Sequence, residues 1–340
     1  PVSVARYAAD GVDALNGKIY FVGGWNSSVQ NLVERYDPAT NQWETLSPMT
    51  VTRTGVATAV LNGKLYAIGG EGLSSVEIFD PQTGQWSTGP ALPSVLHRTT
   101  AITVDGKIIL VGGRNSAGQD LGQVLELDPN TSQWTQKAAM PTARFGAKLV
   151  FVDGKVWAIG GESQLGKSNK VEIYDFVANS WTTGTSLTTT RNWPLAWEAN
   201  GRIYAAGGQN LNSIEFYDPA TNQWITGGSL PENKFCADAT VLDGKVYLVA
   251  GQRNDTSWSN KVFAADLPPP AMDLYFRDGN ATAGAATSPA LDGNLTITLN
   301  MLAPDALAKL DASQTHAQSA GSVIAVPKDS APPAGYSLYK

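Results

Sequence analysis

Short apolar runs closed by a pair of glycines recur along the chain. Gly17-Lys18-Ile19-Tyr20-Phe21-Val22-Gly23-Gly24 returns as Gly63-Lys64-Leu65-Tyr66-Ala67-Ile68-Gly69-Gly70 and as Gly154-Lys155-Val156-Trp157-Ala158-Ile159-Gly160-Gly161. Each reads as a short buried strand followed by backbone that must turn closely. The steps Gly23-Gly24, Gly69-Gly70, Gly112-Gly113, Gly160-Gly161, Gly207-Gly208 and a degenerate Ala250-Gly251 stand 46, 43, 48, 47 and 43 residues apart, the mark of a repeat array.

Downstream of five of these steps a large side chain and a tryptophan keep a spacing of seven: Tyr36 and Trp43, Phe79 and Trp86, Leu127 and Trp134, Tyr174 and Trp181, Tyr217 and Trp224. Asp-Pro-x-Thr segments between them read as turns. Each unit is therefore four antiparallel strands, in the second unit Gly55 to Asn62, Lys64 to Gly70, Val76 to Asp80 and Gln85 to Thr88. One such sheet cannot cover its own faces. Six stacked around an axis bury both faces of every sheet, with the tryptophans wedged between neighbours.

With these motifs, residues 1–267 resemble the kelch family, and the resemblance implies an all-β, six-bladed β-propeller. It implies little about function, because kelch propellers include enzymes, lectin-like modules and protein-interaction platforms.

Composition narrows the classes. Charged residues are 16% of 340, and 34 glycines serve the turns. The chain has no run of 18 apolar residues to span a membrane. A net charge of −6 argues against phosphate-backbone binding as the main task, so no nucleic acid partner is expected. The single cysteine, Cys236, cannot form an internal disulfide. Pro1 is read as the start of a processed chain or a fragment. Asn-x-Ser/Thr sequences, such as those at Asn26, Asn254 and Asn294, are what chance supplies in a chain rich in these residues.

Ring closure is the first structural question. Pro1-Val2-Ser3-Val4-Ala5-Arg6 aligns with Pro48-Met49-Thr50-Val51-Thr52-Arg53, so the chain begins just after an outer strand, and the sixth blade has none of its own. Either that blade has three strands or residues 268–281, a Pro-rich linker containing Met272 to Arg277, supply a substitute. Residues 282–340 form an appendage with one apolar strand (Leu295 to Leu299) and a short helical pattern opened by Pro304. Gly321 to Pro327 followed by Ala331-Pro332-Pro333-Ala334-Gly335-Tyr336 resembles the start of phage tail-collar domains, which implies a fibre or homo-oligomerisation element; a loosely docked linker is the alternative.

Absent residues exclude much chemistry. Copper-radical oxidation on this scaffold needs two histidine ligands, yet the chain has only His97 and His316, the second outside the propeller. No zinc spacing and no phosphate loop occur, and the glycine pairs close strands and open no helix. No metal or cofactor is expected.

The residues that remain as candidates lie in loops at one mouth of the channel. The outer-to-inner connections carry Arg6, Arg53, Arg98, Arg144, Arg191 and Lys234, one cation per blade, which repeat symmetry arranges as a rim for carboxylates on sugars or acidic peptides; local bonding to loop carbonyls is the structural alternative. Trp25, Glu71, Arg114, Glu162, Gln209 and Gln252 follow the glycine steps. Two carboxylates with a guanidinium between them in blade order resemble the sialic-acid mutarotase type of kelch propeller, which implies proton transfer by Glu71 and Glu162 with Arg114. Trp25, Trp193 and Trp258 are not explained by the blade motif and suit stacking on a sugar face, or packing over the seam where the ring closes. The reading is a non-catalytic extracellular recognition head for carbohydrate, with a protein-interaction platform and a mutarotase-like enzyme as alternatives.

Overall fold

The computed structural model describes residues 1–7, 11–252, 258–267, 272–276, 323–327 and 337–338. The chain divides into two compact units, Pro1–Leu267 and Pro268–Lys340.

The first unit is a six-bladed propeller. Five blades are four-stranded antiparallel sheets, and the sixth has three strands, Asp238–Leu242, Lys245–Val249 and Val262–Asp266. In the second blade the strands run Ala57–Leu61, Lys64–Ile68, Val76–Asp80 and Gln85–Thr88. The innermost strands (Val12–Leu15, Ala57–Leu61, Thr100–Val104, Lys148–Val152, Leu195–Ala199 and Asp238–Leu242) touch one another in that order and back to the first, enclosing a channel. Six apolar clusters fill the six spaces between adjacent blades. A single blade has no core of its own, which is why the repeat must close.

The outer-strand tryptophans tie each of blades two to five to the one before it. Trp86 Nε1 donates to the Ser47 carbonyl at 2.9 Å, Trp134 to Pro90 at 2.8 Å, Trp181 to Ala138 at 2.8 Å and Trp224 to Thr185 at 2.9 Å. Each ring also packs on the aromatic or leucine partner seven residues earlier, as Phe79 on Trp86 at 5.2 Å.

Blade six keeps three strands. The proposed substitute, Met272–Phe276, pairs instead with Val323–Pro327 and Ser337–Leu338 in a small sheet of the second unit. The seam is closed from the other end: the Val2 amide donates to the Asn260 carbonyl at 2.9 Å, and Val2, Val12, Ile19 and Phe21 pack with Tyr247, Val249 and Ala250. Apolar burial thus covers at this seam part of what an added strand would cover. The segments Leu295 to Leu299 and Pro304 to Leu310 lie outside the described residues.

Candidate functional site at the channel mouth

The rim of free cations expected from the sequence does not form. Arg6, Arg53, Arg144, Arg191 and Lys234 are 0–1% exposed. Each glycine step turns carbonyls away from the sheet ladder, and those buried acceptors must be satisfied. Arg53 donates to Gly69 O at 2.6 Å, to Ser75 O at 2.9 Å and to Glu77 Oε1 at 3.0 Å. Arg191 repeats the pattern with Gly207 O at 2.7 Å, Ser213 O at 2.9 Å and Glu215 at 2.8 Å. Arg6 binds Gly23 O and Glu34, and Arg144 binds Gly160 O and Glu172. Lys234 reaches Ala250 O at 2.7 Å and Glu232 at 3.2 Å. Burial on its own would raise the Glu77 pKa, but the Thr50 hydroxyl and amide and the Arg53 guanidinium outweigh it and hold the carboxyl below its ordinary value. The five cations are internal braces, and a ligand at the mouth has no access to them.

Arg98 belongs to a different position. Arg6, Arg53, Arg144, Arg191 and Lys234 each stand four residues after a buried apolar residue (Val2, Met49, Met140, Leu187 and Leu230), and four residues after the matching Leu92 stands Leu96. Leu96 fills the brace position in blade three: its carbonyl sits over Gly69 as the Arg53 carbonyl sits over Gly23. The glutamate position of that blade is Leu125, so the buried ion pair is replaced by two leucines in one core cluster. In blade six the glutamate position is Phe263, whose ring lies 4.9 Å from Lys234 Nζ. Counting from that buried apolar residue is the sequence signal that separates Arg98 from the braces.

Freed from bracing, Arg98 turns to the mouth. It occupies the place held by Gly55 and Gly146 in the flanking blades and by Trp193 and Cys236 farther round, and all five are left-handed, with φ of 61°, 57°, 59°, 49° and 48° for Gly55, Arg98, Gly146, Trp193 and Cys236. The Arg98 amide donates to Gly55 O at 2.9 Å and its carbonyl accepts from the Gly146 amide at 3.2 Å, which links three blades around the axis. Left-handed backbone costs a residue with a Cβ about 1–2 kcal/mol, so a large side chain there is held by its surroundings. The guanidinium lies 5.5 Å from the Phe145 ring and 5.9 Å from that of Trp193, and among the described residues no carboxylate forms an ion pair with it.

A depression of about 380 Å3 opens beside Arg98. Tyr7, Trp25, Trp193 and Phe235 give it aromatic walls, and Glu71, Glu162, His97 and Gln252 give it polar ones. Backbone bridges join Tyr7 to Trp25, Phe145 to Glu162 and Phe235 to Gln252, so these post-glycine residues are fixed against the loop that enters the inner strand of their own blade. Burial, and then the nearby Arg98 charge, lowers the His97 pKa, leaving a neutral imidazole at neutral pH. Burial raises the Tyr7 phenol, with Cys236 adding to it.

Arg114, read from the sequence as a cation between the two glutamates, is engaged locally and is not among the residues lining the depression. Its Nε is bound to Asp120 Oδ1 at 2.6 Å, and its guanidinium lies over the Phe145 ring at 4.1 Å. Trp193, expected as an exposed stacking surface, is 5% exposed and packs edge-on against Phe145 at 5.6 Å. Trp25 lines the depression; Trp258 is half-buried, is bridged to Gln252, and is not among the lining residues. Among the described residues no group of His, Cys, Asp or Glu is arranged to hold a metal ion.

Residues 55–251 match the KLHDC2/KLHL20/DRC7 Kelch-repeats domain, and residues 11–50 match the Kelch motif. The chain belongs to the kelch family. Among curated kelch relatives it is 41% identical over 70 residues to Kelch-like ECH-associated protein 1A of Danio rerio, covering 19% of this chain and 12% of that protein. It is likewise 41% identical over 73 residues to the influenza virus NS1A-binding protein homolog of Mus musculus, covering 21% and 11%. The matches thus span about a tenth of these relatives' length. A solved structure, that of YjhT, superposes with a TM-score of 0.67 at 18% identity over 78% of this chain and 96% of that one, a likeness of fold.

Proposed function

We propose that this kelch propeller is a non-catalytic recognition module that binds a segment of a partner protein in the depression beside Arg98. The observation that carries the reading is Arg98 itself: a guanidinium without an ion-pair partner among the described residues, fixed in left-handed backbone and framed by Phe145 and Trp193. A charge held in place before binding loses little freedom on binding. Arg beside aromatic rings suits a peptide carboxylate flanked by apolar or aromatic side chains. Glu71 and Glu162 on the same depression favour a segment that also offers amides or a cation, which a polypeptide supplies. The kelch relatives support a protein-binding role, one of them being named for binding a viral protein.

Carbohydrate remains the second reading because Trp25 and Glu71 line the same depression. One experiment separates the two. A random peptide library is selected on the immobilised full chain, and a glycan array is probed in parallel, each repeated with Arg98→Ala and with Trp25→Ala. Peptides that bind the wild type and lose at least about tenfold affinity in the variant, equivalent to about 1.4 kcal/mol, are the expected result. Glycan binding that depends on Trp25, with no enriched peptide, would overturn the protein reading.

A further inference from the structure

A second charged cluster lies inside the channel, away from Arg98. The channel has a volume of about 380 Å3 and is walled by the six inner strands. Lys148 of blade four reaches Asp238 of blade six at 2.8 Å. Asp238 Oδ2 in turn accepts the Val12 amide of blade one at 3.3 Å. These groups therefore join blade one to blade six, the two ends of the ring, and blade six is the blade with only three strands.

Asp13, next to Val12, completes the cluster. It interacts with the Thr58 hydroxyl, feels Asp238 and Lys148, and has its Oδ2 sealed from solvent with no hydrogen-bond partner among the described residues. A buried carboxylate oxygen without a donor, close to a second carboxylate, disfavours the ionised form. Other charges on the strands packed against Asp13 are committed elsewhere: Lys18 to Asp37, and Lys64 to Asp80 at 3.0 Å. Glu198, also on the channel wall, accepts the Gly201 amide at 2.7 Å.

We propose that Asp13 is a proton-controlled latch on the seam between the first and last blades: neutral Asp13 leaves the Lys148–Asp238 bridge undisturbed and the ring closed, and ionised Asp13 repels Asp238 and loosens the seam. Burial pushes the Asp13 pKa up to about 7, from an ordinary value of 3.8, which places the transition in the neutral range. In the folded ring Asp13 holds its proton where the unfolded chain has released it. The ring therefore loses stability as pH rises from the ordinary carboxylate range to about 7, and no further above it.

The test is thermal unfolding of the full chain between pH 5 and 9, with hydrogen exchange corrected for its intrinsic pH dependence. The wild-type midpoint is expected to fall by about 5 °C or more between pH 5 and 8. Protection is expected to fall first in Val12–Leu15 and Asp238–Leu242. Asp13→Asn should remove both effects. Asp238→Asn should move the transition to lower pH, because it removes the repelling charge and frees Lys148 to stabilise ionised Asp13. An unchanged pH slope in Asp13→Asn, or loosening spread evenly over all blades, would overturn the latch; if Asp13→Asn fails to fold, the direction of the Asp238→Asn shift decides alone.

Discussion

At the scale of single residues, Arg98 separates binding from stability. Gly55 and Gly146 hold the equivalent left-handed positions in the neighbouring blades without strain, whereas Arg98 holds its own at a cost. Arg98→Gly should leave stability to urea unchanged or raise it by up to about 1 kcal/mol, since relief of the left-handed backbone and the added freedom of the unfolded chain nearly offset each other. The same variant should lose peptide capture. A drop of more than about 1 kcal/mol in the urea titration would mean that Arg98 is a brace like the others. Sequence alone showed a cation in every connecting loop, but it could not show which way each side chain points. That depends on where the buried carbonyls of Gly69, Gly160 and Gly207 lie, and only the folded backbone places them.

At the scale of the element, each blade carries its own experiment in the brace. Four blades use an arginine and a glutamate, and blade three uses Leu96 and Leu125 in the same places. A buried pair with one partner removed leaves an uncompensated charge, while two well-packed apolar residues are often as stable as the pair. Arg144→Leu should therefore cost about 3–5 kcal/mol in urea unfolding. Adding Glu172→Leu should recover most of that loss. If the double variant is no more stable than the single one, the bonds from Arg144 to the Gly160 and Ala158 carbonyls, and not the ion pair, carry the site. The strands themselves were legible from the apolar runs and turn residues: the second blade differs from its expected bounds by two residues at one end of its first strand, one at the other, and two at the close of its second. The register of Arg98 was legible too, in the four-residue count from the buried Leu92, but an alignment on charge alone passes over it.

At the scale of the whole molecule, the seam is where the ring is weakest. Every other neighbouring pair of blades joins two four-stranded sheets or, between five and six, keeps the full outer strand of blade five, whereas blade one meets the short blade six. Local opening follows low packing and exposed backbone. Amides of Val262–Asp266, an edge strand with Ala264, Ala265 and Asp266 exposed, should exchange ahead of those of Lys107–Val111 in blade three, where the side chains of Ile108, Ile109 and Leu110 are buried. Equal protection in the two strands, measured on the full chain, would show that the apolar contacts of Val2 and Val12 compensate fully for the missing strand.

The repeat spacing, the paired glycines and the seven-residue aromatic–tryptophan interval determined the number of blades and the family, because a blade's strands and turns are local in sequence and each unit needs neighbours to bury its faces. Sequence also placed Trp25, Glu71, Glu162 and Arg98 in loops at one mouth, since repeat symmetry carries equivalent positions to one end of the channel. It did not determine which of those loop residues face the ligand and which face the core. The tertiary structure decided that: five cations turned inward to buried carbonyls, Arg114 went to Asp120, Trp193 packed on Phe145, and Asp13 came to lie beside Asp238, more than two hundred residues away in the chain. Those choices depend on the partners that a closed ring brings within reach, and no local pattern encodes the distance between the first blade and the last.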